Sequence, residues 1–210
     1  MTEAELLKCE DAHDFLDSVS QRVSVRKIRL ALCASLRSPD IWQVLSAPIS
    51  RQAVETGEAF ADGMVSIEEL GRIRKRANAV ARNGSRGMPP CSPGAYLANY
   101  ICSQDDTLTK YLYLPMGCIK QLQPPADLLR DIFGNPFHPI AFVPKWRSET
   151  AVALASAIYA ERAFDRMPIL ADALEEAGCD HADVLSHCRG PGPRPHVRGC
   201  WVVDGVLGKE

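Results

Sequence analysis

Apolar residues recur every three to four positions along most of this chain, which is the spacing of one face of an α-helix. In the segment 22–37, for example, Val25, Ile28, Leu32 and Leu36 share one side, and the cations lie elsewhere. No long alternating pattern of the kind that marks a half-buried strand interrupts this spacing. The sequence therefore predicts a mainly α fold, with an N-terminal bundle of short helices and a C-terminal helical domain.

Capping signals place several helix ends. Thr2 followed by Glu5 three positions later is a capping box, in which each side chain bonds the backbone of the other. Gly134, before Asn135-Pro136, can end the helix predicted over 126–133, because glycine adopts the left-handed conformation of a C-cap. Ser148 or Thr150 can cap the apolar helix that follows. Helix starts and stops are therefore well defined in the C-terminal part.

Composition changes at 83–94, which is rich in Gly, Pro and Ser and is typical of a loop or linker. The predicted organisation is an N-terminal helical region over 1–82, a linker with a poorly patterned insert over 83–124, and a C-terminal domain over 125–210. Residues 95–123 within the insert fit either short helices or a hairpin. The apolar end, 197–207, fits either a buried helix or a strand.

Bulk composition describes an ordinary globular chain, with 46% hydrophobic and 24% charged residues, and excludes general disorder. The 24 Lys and Arg nearly balance the 26 Asp and Glu, so the net charge of −2 gives no overall attraction to nucleic acid or anionic lipid. The acidic start is unlike a secretory signal, and no stretch has the length of a membrane span. We expect a cytoplasmic protein that does not enter a membrane, whose eight cysteines are reduced thiols or metal ligands.

Three C-terminal strings carry a resemblance to other sequences. They are LLRDIFGNPFHP (128–139), AIYAERAFDRMPILADALEEAGC (157–179) and HCRGPG…HVRGCWVVDGVLGK (187–209). Together they resemble the end of an uncharacterised bacterial protein family whose members close with HVRGCWVVD…LGK. The N-terminal RKIRLALCASLR stretch is similar to the first helices of that family. The resemblance implies kinship over most of 1–82 and 126–210, and it implies no activity, cofactor or catalytic residue.

The densest group of chemically reactive side chains lies near the C-terminus. Zinc prefers four tetrahedral ligands drawn from thiolate and imidazole, and Cys179, Cys188, His196 and Cys200 can supply them, with His187 as a further candidate. The chain has no Cys-x-x-Cys pair there, so the same cysteines also fit small apolar core residues. A cysteine–histidine catalytic pair, with Cys188 or Cys200 meeting His196 or His138, is a weaker alternative.

A second candidate is the basic helix predicted over 70–86. Arg72, Lys75 and Arg76 are three to four residues apart and project on a shared side, as phosphate contact requires. The same pattern is typical of a solvated helix face, and the aromatic residues of single-strand binders are missing nearby.

No segment carries a signature that names a reaction, so the sequence favours a non-enzymatic accessory or interaction module whose partner is another protein. The first alternative is a nucleic-acid-binding accessory factor that uses 22–37 and 70–86. The second is a metal-dependent enzyme, with zinc as the cofactor, at the C-terminal Cys/His group.

Overall fold

The computed structural model describes residues 2–9, 11, 14–15, 24–83, 93–103, 124–190 and 196–209. Helices account for the regular structure of these residues and none of them lies in a strand, so the mainly α prediction is confirmed. No helix in these ranges combines the length and the apolar character needed to cross a membrane. The chain divides into two compact units, Met1–Ala126 and Asp127–Glu210.

Short helices build the first unit, as the sequence predicted. Helix α2 packs against α4 and α6, while α5 packs on both α4 and α6, so these four helices enclose one apolar core. The helices are α1 (Glu3–Lys8), α2 (Val25–Leu36), α3 (Pro39–Val44), α4 (Pro48–Ala61), α5 (Ile67–Asn83) and α6 (Pro93–Ile101).

The helix boundaries follow local chemistry. Thr2 and Glu5 form the predicted capping box, since the Glu5 amide donates to Thr2 Oγ1 and the Thr2 amide donates to Glu5 Oε2. In the second unit, Ser148 rather than Thr150 is the N-cap, and its hydroxyl accepts from the Ala151 amide at 3.2 Å. Caps of this kind satisfy amides that have no partner within the helix.

The second unit is a compact helical arrangement around its own core. Helix α8 packs on α9 and α11, and α9 packs on α10. The terminal segment 197–207, for which helix and strand were both open, contains a helix. The elements are α7 (Ala126–Phe133), a 3-10 turn (Pro144–Trp146), α8 (Glu149–Glu161), a second 3-10 turn (Phe164–Arg166), α9 (Met167–Glu176), α10 (Ala182–Arg189) and α11 (Trp201–Leu207).

The insert predicted over 83–124 contains one described helix, α6, which packs into the first unit. Of the two alternatives for 95–123, helix applies to the part up to 101. Residues 104–123 lie outside the described residues, as do 84–92, which the sequence assigned to a linker.

Helices α4 and α6 approach each other closely at Gly57. A Cβ atom at this position would lie 2.2 Å from Cγ2 of Ile101 and 3.4 Å from Sγ of Cys33, and both neighbours are fully buried. The contact is tighter than van der Waals packing allows, so only a residue without a side chain fits.

We expect Gly57→Ala to lower the free energy of unfolding by up to about 2 kcal/mol, because overpacking costs about 1–3 kcal/mol and alanine contributes roughly 1 kcal/mol to a helix interior. Urea unfolding followed by circular dichroism measures this change. Adding Ile101→Ala removes the obstructing methyl group, so the double variant should lose less than the sum of the two single losses. A stabilised Gly57→Ala protein would contradict the close approach.

Candidate metal centre

Four side chains converge in the second unit, and each offers one metal-ligating atom within 4.8 Å of the others: Asp131, His187, His196 and Cys200. His187 Nε2 lies 3.1 Å from Asp131 Oδ1 and 3.3 Å from Cys200 Sγ. His196 Nδ1 lies 2.6 Å from Asp131 Oδ1 and 4.0 Å from Cys200 Sγ. We call these four residues the metal-ligand group.

The spacing is close to that of ligands around one zinc ion. With zinc–nitrogen bonds of about 2.0–2.1 Å and zinc–sulfur bonds of about 2.3 Å, tetrahedral ligand atoms lie about 3.3–3.6 Å apart. The two distances from His187 and the His196–Cys200 distance fall within about half an ångström of that range. The 2.6 Å between His196 Nδ1 and Asp131 Oδ1 is a hydrogen-bond distance, so these two atoms would have to separate slightly around an ion.

Asp131 is the centre of the group in the present arrangement. It lies on α7, its side chain is 3% exposed, and Val197 donates its amide to Oδ2 at 2.9 Å. With His187 and His196 at Oδ1, three nitrogens surround the carboxylate, which satisfies a buried charge. Through these hydrogen bonds, the carboxylate links α7, α10 and the segment before α11 without a metal ion.

A tight turn presents His196 and Cys200 to Asp131. The Cys200 amide donates to the Val197 carbonyl at 3.0 Å, and Gly199, with φ of 94°, adopts a conformation that side chains disfavour. Arg198 anchors the turn, since its Nε donates to the Tyr159 carbonyl at the end of α8 and its guanidinium carbon lies 5.1 Å from the centre of the Tyr159 ring.

His187 lies near the end of α10 and has a second partner. Trp201, the first residue of α11, donates its indole N–H to His187 Nδ1 at 3.2 Å. The rings of His187 and His196 are also in edge-to-face contact, with centroids 4.9 Å apart. His187 is therefore held between Trp201 on one side and Asp131 and Cys200 on the other.

Burial raises the pKa of both acidic groups, but their net pKa shifts have opposite directions. Burial raises the pKa of the Cys200 thiol well above its usual value, and the charge of Asp131 adds to this effect. Burial would also raise the pKa of Asp131, but hydrogen bonds from His187 and His196 outweigh it, so that the pKa is lowered. Without a cation, the group contains a carboxylate and a protonated thiol.

The fold brings together three of the five residues that the sequence proposed as zinc ligands: His187, His196 and Cys200. Cys179 and Cys188 are not part of the metal-ligand group. Both are buried in the apolar core of the second unit, and burial raises the pKa of Cys188 to about 12. None of the six described cysteines forms a disulfide.

Sequence reasoning missed Asp131, which is 65 residues from His196. Its one sequence signal is its place on α7, where it borders the apolar face of Leu128, Leu129 and Ile132 and is buried with them. A carboxylate at such a position needs a partner, because an unpaired buried charge is costly.

The residues proposed to contact nucleic acid are on α5. Arg72, Lys75 and Arg76 are exposed, and Arg72 pairs with Glu69 at 2.5 Å. Such a face suits either phosphate or solvent, so nucleic-acid binding by this helix stays a prediction.

The other basic stretch proposed for this role, 22–37, has most of its cations engaged within the unit. Arg29 is 2% exposed and donates to the Ile101 and Ser103 carbonyls at the end of α6. Arg37 forms a bidentate pair with Glu58, and Arg26 pairs with Asp62. Arg29 in particular is buried and does not lie on an outer face of α2. Its charge stabilises the carbonyl end of a neighbouring helix.

Comparison with models of protein families, with curated proteins and with solved structures gives no match to this chain. The kinship indicated by the C-terminal strings therefore stays an expectation.

Proposed function

We propose that this chain is a zinc-binding protein whose second unit holds one zinc ion at Asp131, His187, His196 and Cys200. The observation that supports the proposal is the convergence of four ligand atoms of the right types within 4.8 Å. The ion would join α7 to α10 and the turn before α11, which lie much later in the sequence. Among the roles that the sequence left open, the convergence of these ligand atoms favours a metal site over nucleic-acid binding. A non-enzymatic accessory role stays a prediction.

The chemistry of the donors selects the metal. One sulfur, two imidazole nitrogens and one carboxylate oxygen form a mixed set that suits zinc, whereas magnesium and calcium prefer oxygen donors alone. A cation would also compensate the buried Asp131 charge and allow the Cys200 thiol to lose its proton, since coordinated thiols are deprotonated.

A metal-free cysteine–histidine pair is a poorer explanation of the same geometry. Cys200 does lie 3.3 Å from His187 Nε2, as a nucleophile and its base would. However, Cys200 is 0% exposed and its pKa is raised well above the usual value, so neither the thiolate nor access to a substrate is provided.

Elemental analysis of the purified full-length protein tests the proposal. After dialysis against metal-free buffer, we expect about one zinc ion per chain, as a four-ligand site requires. His196→Ala should lose the zinc, because the remaining donors cannot complete the site. His138→Ala is the matched control, since His138 is exposed and lies outside the group, and it should retain the ion. Zinc-free wild-type protein that also fails to take up added zinc would contradict the proposal.

A further inference from the structure

Arg198 lies midway between two members of the metal-ligand group, His196 and Cys200, in the turn of residues 197–200 that precedes α11. The turn is closed locally by the 3.0 Å bond from the Cys200 amide to the Val197 carbonyl. That bond shapes the turn, but it does not determine where the turn lies relative to the rest of the second unit. The position of two of the four candidate ligands therefore depends on contacts that leave the turn.

Contacts to two helices hold the turn in place. On α7, Asp131 Oδ2 accepts the Val197 amide at 2.9 Å. At the end of α8, Arg198 Nε donates to the Tyr159 carbonyl at 3.3 Å, and its Nη2 donates to the Ala160 carbonyl at 3.5 Å. The contact on α7 involves one of the ligands itself, whereas Arg198 is outside the metal-ligand group. Arg198 thus fixes the turn without being one of the residues that bind the ion.

The end of α8 is suited to receive a guanidinium group. Tyr159 and Ala160 are among the last residues of this helix, which ends at Glu161, and the last carbonyls of an α-helix have no intrahelical amide to accept. The negative end of the helix dipole adds to the attraction for a cation. The guanidinium carbon of Arg198 also lies 5.1 Å from the centre of the buried Tyr159 ring, within the range of a cation–π contact. Arg198 therefore has three favourable contacts on one rigid helix end.

A turn that is fixed in advance binds a metal more tightly than a mobile one. If the turn were free to move, binding of the ion would have to order it, and the lost conformational entropy would weaken binding. Residues that orient metal ligands without touching the ion typically contribute about 10–100-fold to metal affinity. Because His196 and Cys200 flank Arg198, one anchoring side chain orients two ligands at once.

We propose that Arg198 is the positioning residue of the zinc site, and that its contacts with the end of α8 hold His196 and Cys200 in place for the ion and thereby set the zinc affinity. The inference rests on the proposed function, because it concerns the same ion. It adds that a residue outside the metal-ligand group determines how tightly the ion is held.

The zinc dissociation constant of the full-length protein, measured by competition with a chromophoric chelator, tests this inference. Arg198→Met keeps an apolar stem over Tyr159 but removes the charge and the N–H donors, so the constant should rise about 10–100-fold. Arg198→Lys keeps a cation that can donate to a carbonyl, so it should recover part of the lost affinity. Arg166→Ala is the matched control, because Arg166 pairs with Glu161 at the same end of α8 at 3.2 Å, and it should leave the constant unchanged.

Two further measurements separate positioning from a merely structural role and from the loss of a ligand. A residue that only stabilises the fold would change the free energy of unfolding of the metal-free protein and leave the zinc dissociation constant of the folded protein unchanged. In cobalt(II)-substituted protein, the thiolate charge-transfer band should persist in Arg198→Met, because Cys200 still ligates, and it should be lost in Cys200→Ser.

Equal zinc dissociation constants in Arg198→Met and wild-type protein would overturn the inference and leave the zinc site intact. If Arg198→Met failed to fold, Arg198→Lys would carry the test, and an affinity no lower than that of Arg166→Ala would then overturn the inference. Wild-type protein that binds no zinc would overturn the proposed function and the inference together.

Discussion

A chelator should lower the melting temperature of the second unit by about 15–30 °C when the zinc-bound protein is the reference. The unfolded chain has no preformed site, so the free energy of metal binding adds to the free energy of unfolding. An ion at a thousandfold excess over its dissociation constant contributes about 4 kcal/mol, and each kcal/mol shifts the midpoint of a domain this small by about 4–8 °C. Tryptophan fluorescence in a Trp42→Phe background follows this unit, because Trp146 and Trp201 then remain as reporters.

Two cysteine variants provide a matched comparison for this result. Cys200 and Cys188 are both buried, but only Cys200 belongs to the metal-ligand group. Cys200→Ser should abolish the response to chelator. Cys188→Ser should cost only about 1–3 kcal/mol of packing and keep the response. If Cys188→Ser also abolished the response, the ligand set would include Cys188, which the sequence proposed together with Cys179 and Cys200, and the group described above would be wrong.

In metal-free protein, Asp131→Ala should lower the free energy of unfolding of the second unit by about 3–5 kcal/mol, because each buried donor left without an acceptor costs about 1–3 kcal/mol. The substitution leaves His187 Nε2, His196 Nδ1 and the Val197 amide without their common acceptor. Urea unfolding in the presence of chelator measures this loss separately from any effect on metal binding.

Asp127→Ala on the same helix is the control. Asp127 pairs with Arg130 at 2.7 Å, but its side chain is 73% exposed, so water screens the pair. Its removal should change the free energy of unfolding by less than about 1 kcal/mol. Equal losses in the two variants would show that Asp131 does not have the buried role described here.

The helical class and many helix ends could be predicted from the sequence, because the interactions that set them join residues only a few positions apart. Thr2 and Glu5 cap α1 from three residues away, and Gly134 ends α7 through its own backbone freedom. The sequence of 197–207 fitted a helix and a strand equally well. In the structure this segment contains α11, which packs against α8. The close approach at Gly57 has no sequence signature at all, because it depends on where Ile101 of another helix lies.

In the candidate site, too, some ligands could be predicted from the sequence, whereas others are recognised only in the folded structure. His187, His196 and Cys200 lie within one short stretch, so their ligand chemistry was visible in the sequence alone. Neighbouring residues on a helix point about 100° apart, so α10 can direct His187 toward the group while Cys188 faces the core, and sequence spacing did not distinguish them. Asp131 and the hydrogen bond from Trp201 come from other helices. Which acceptor these histidines share was decided by the tertiary structure, because it depends on contacts across the fold.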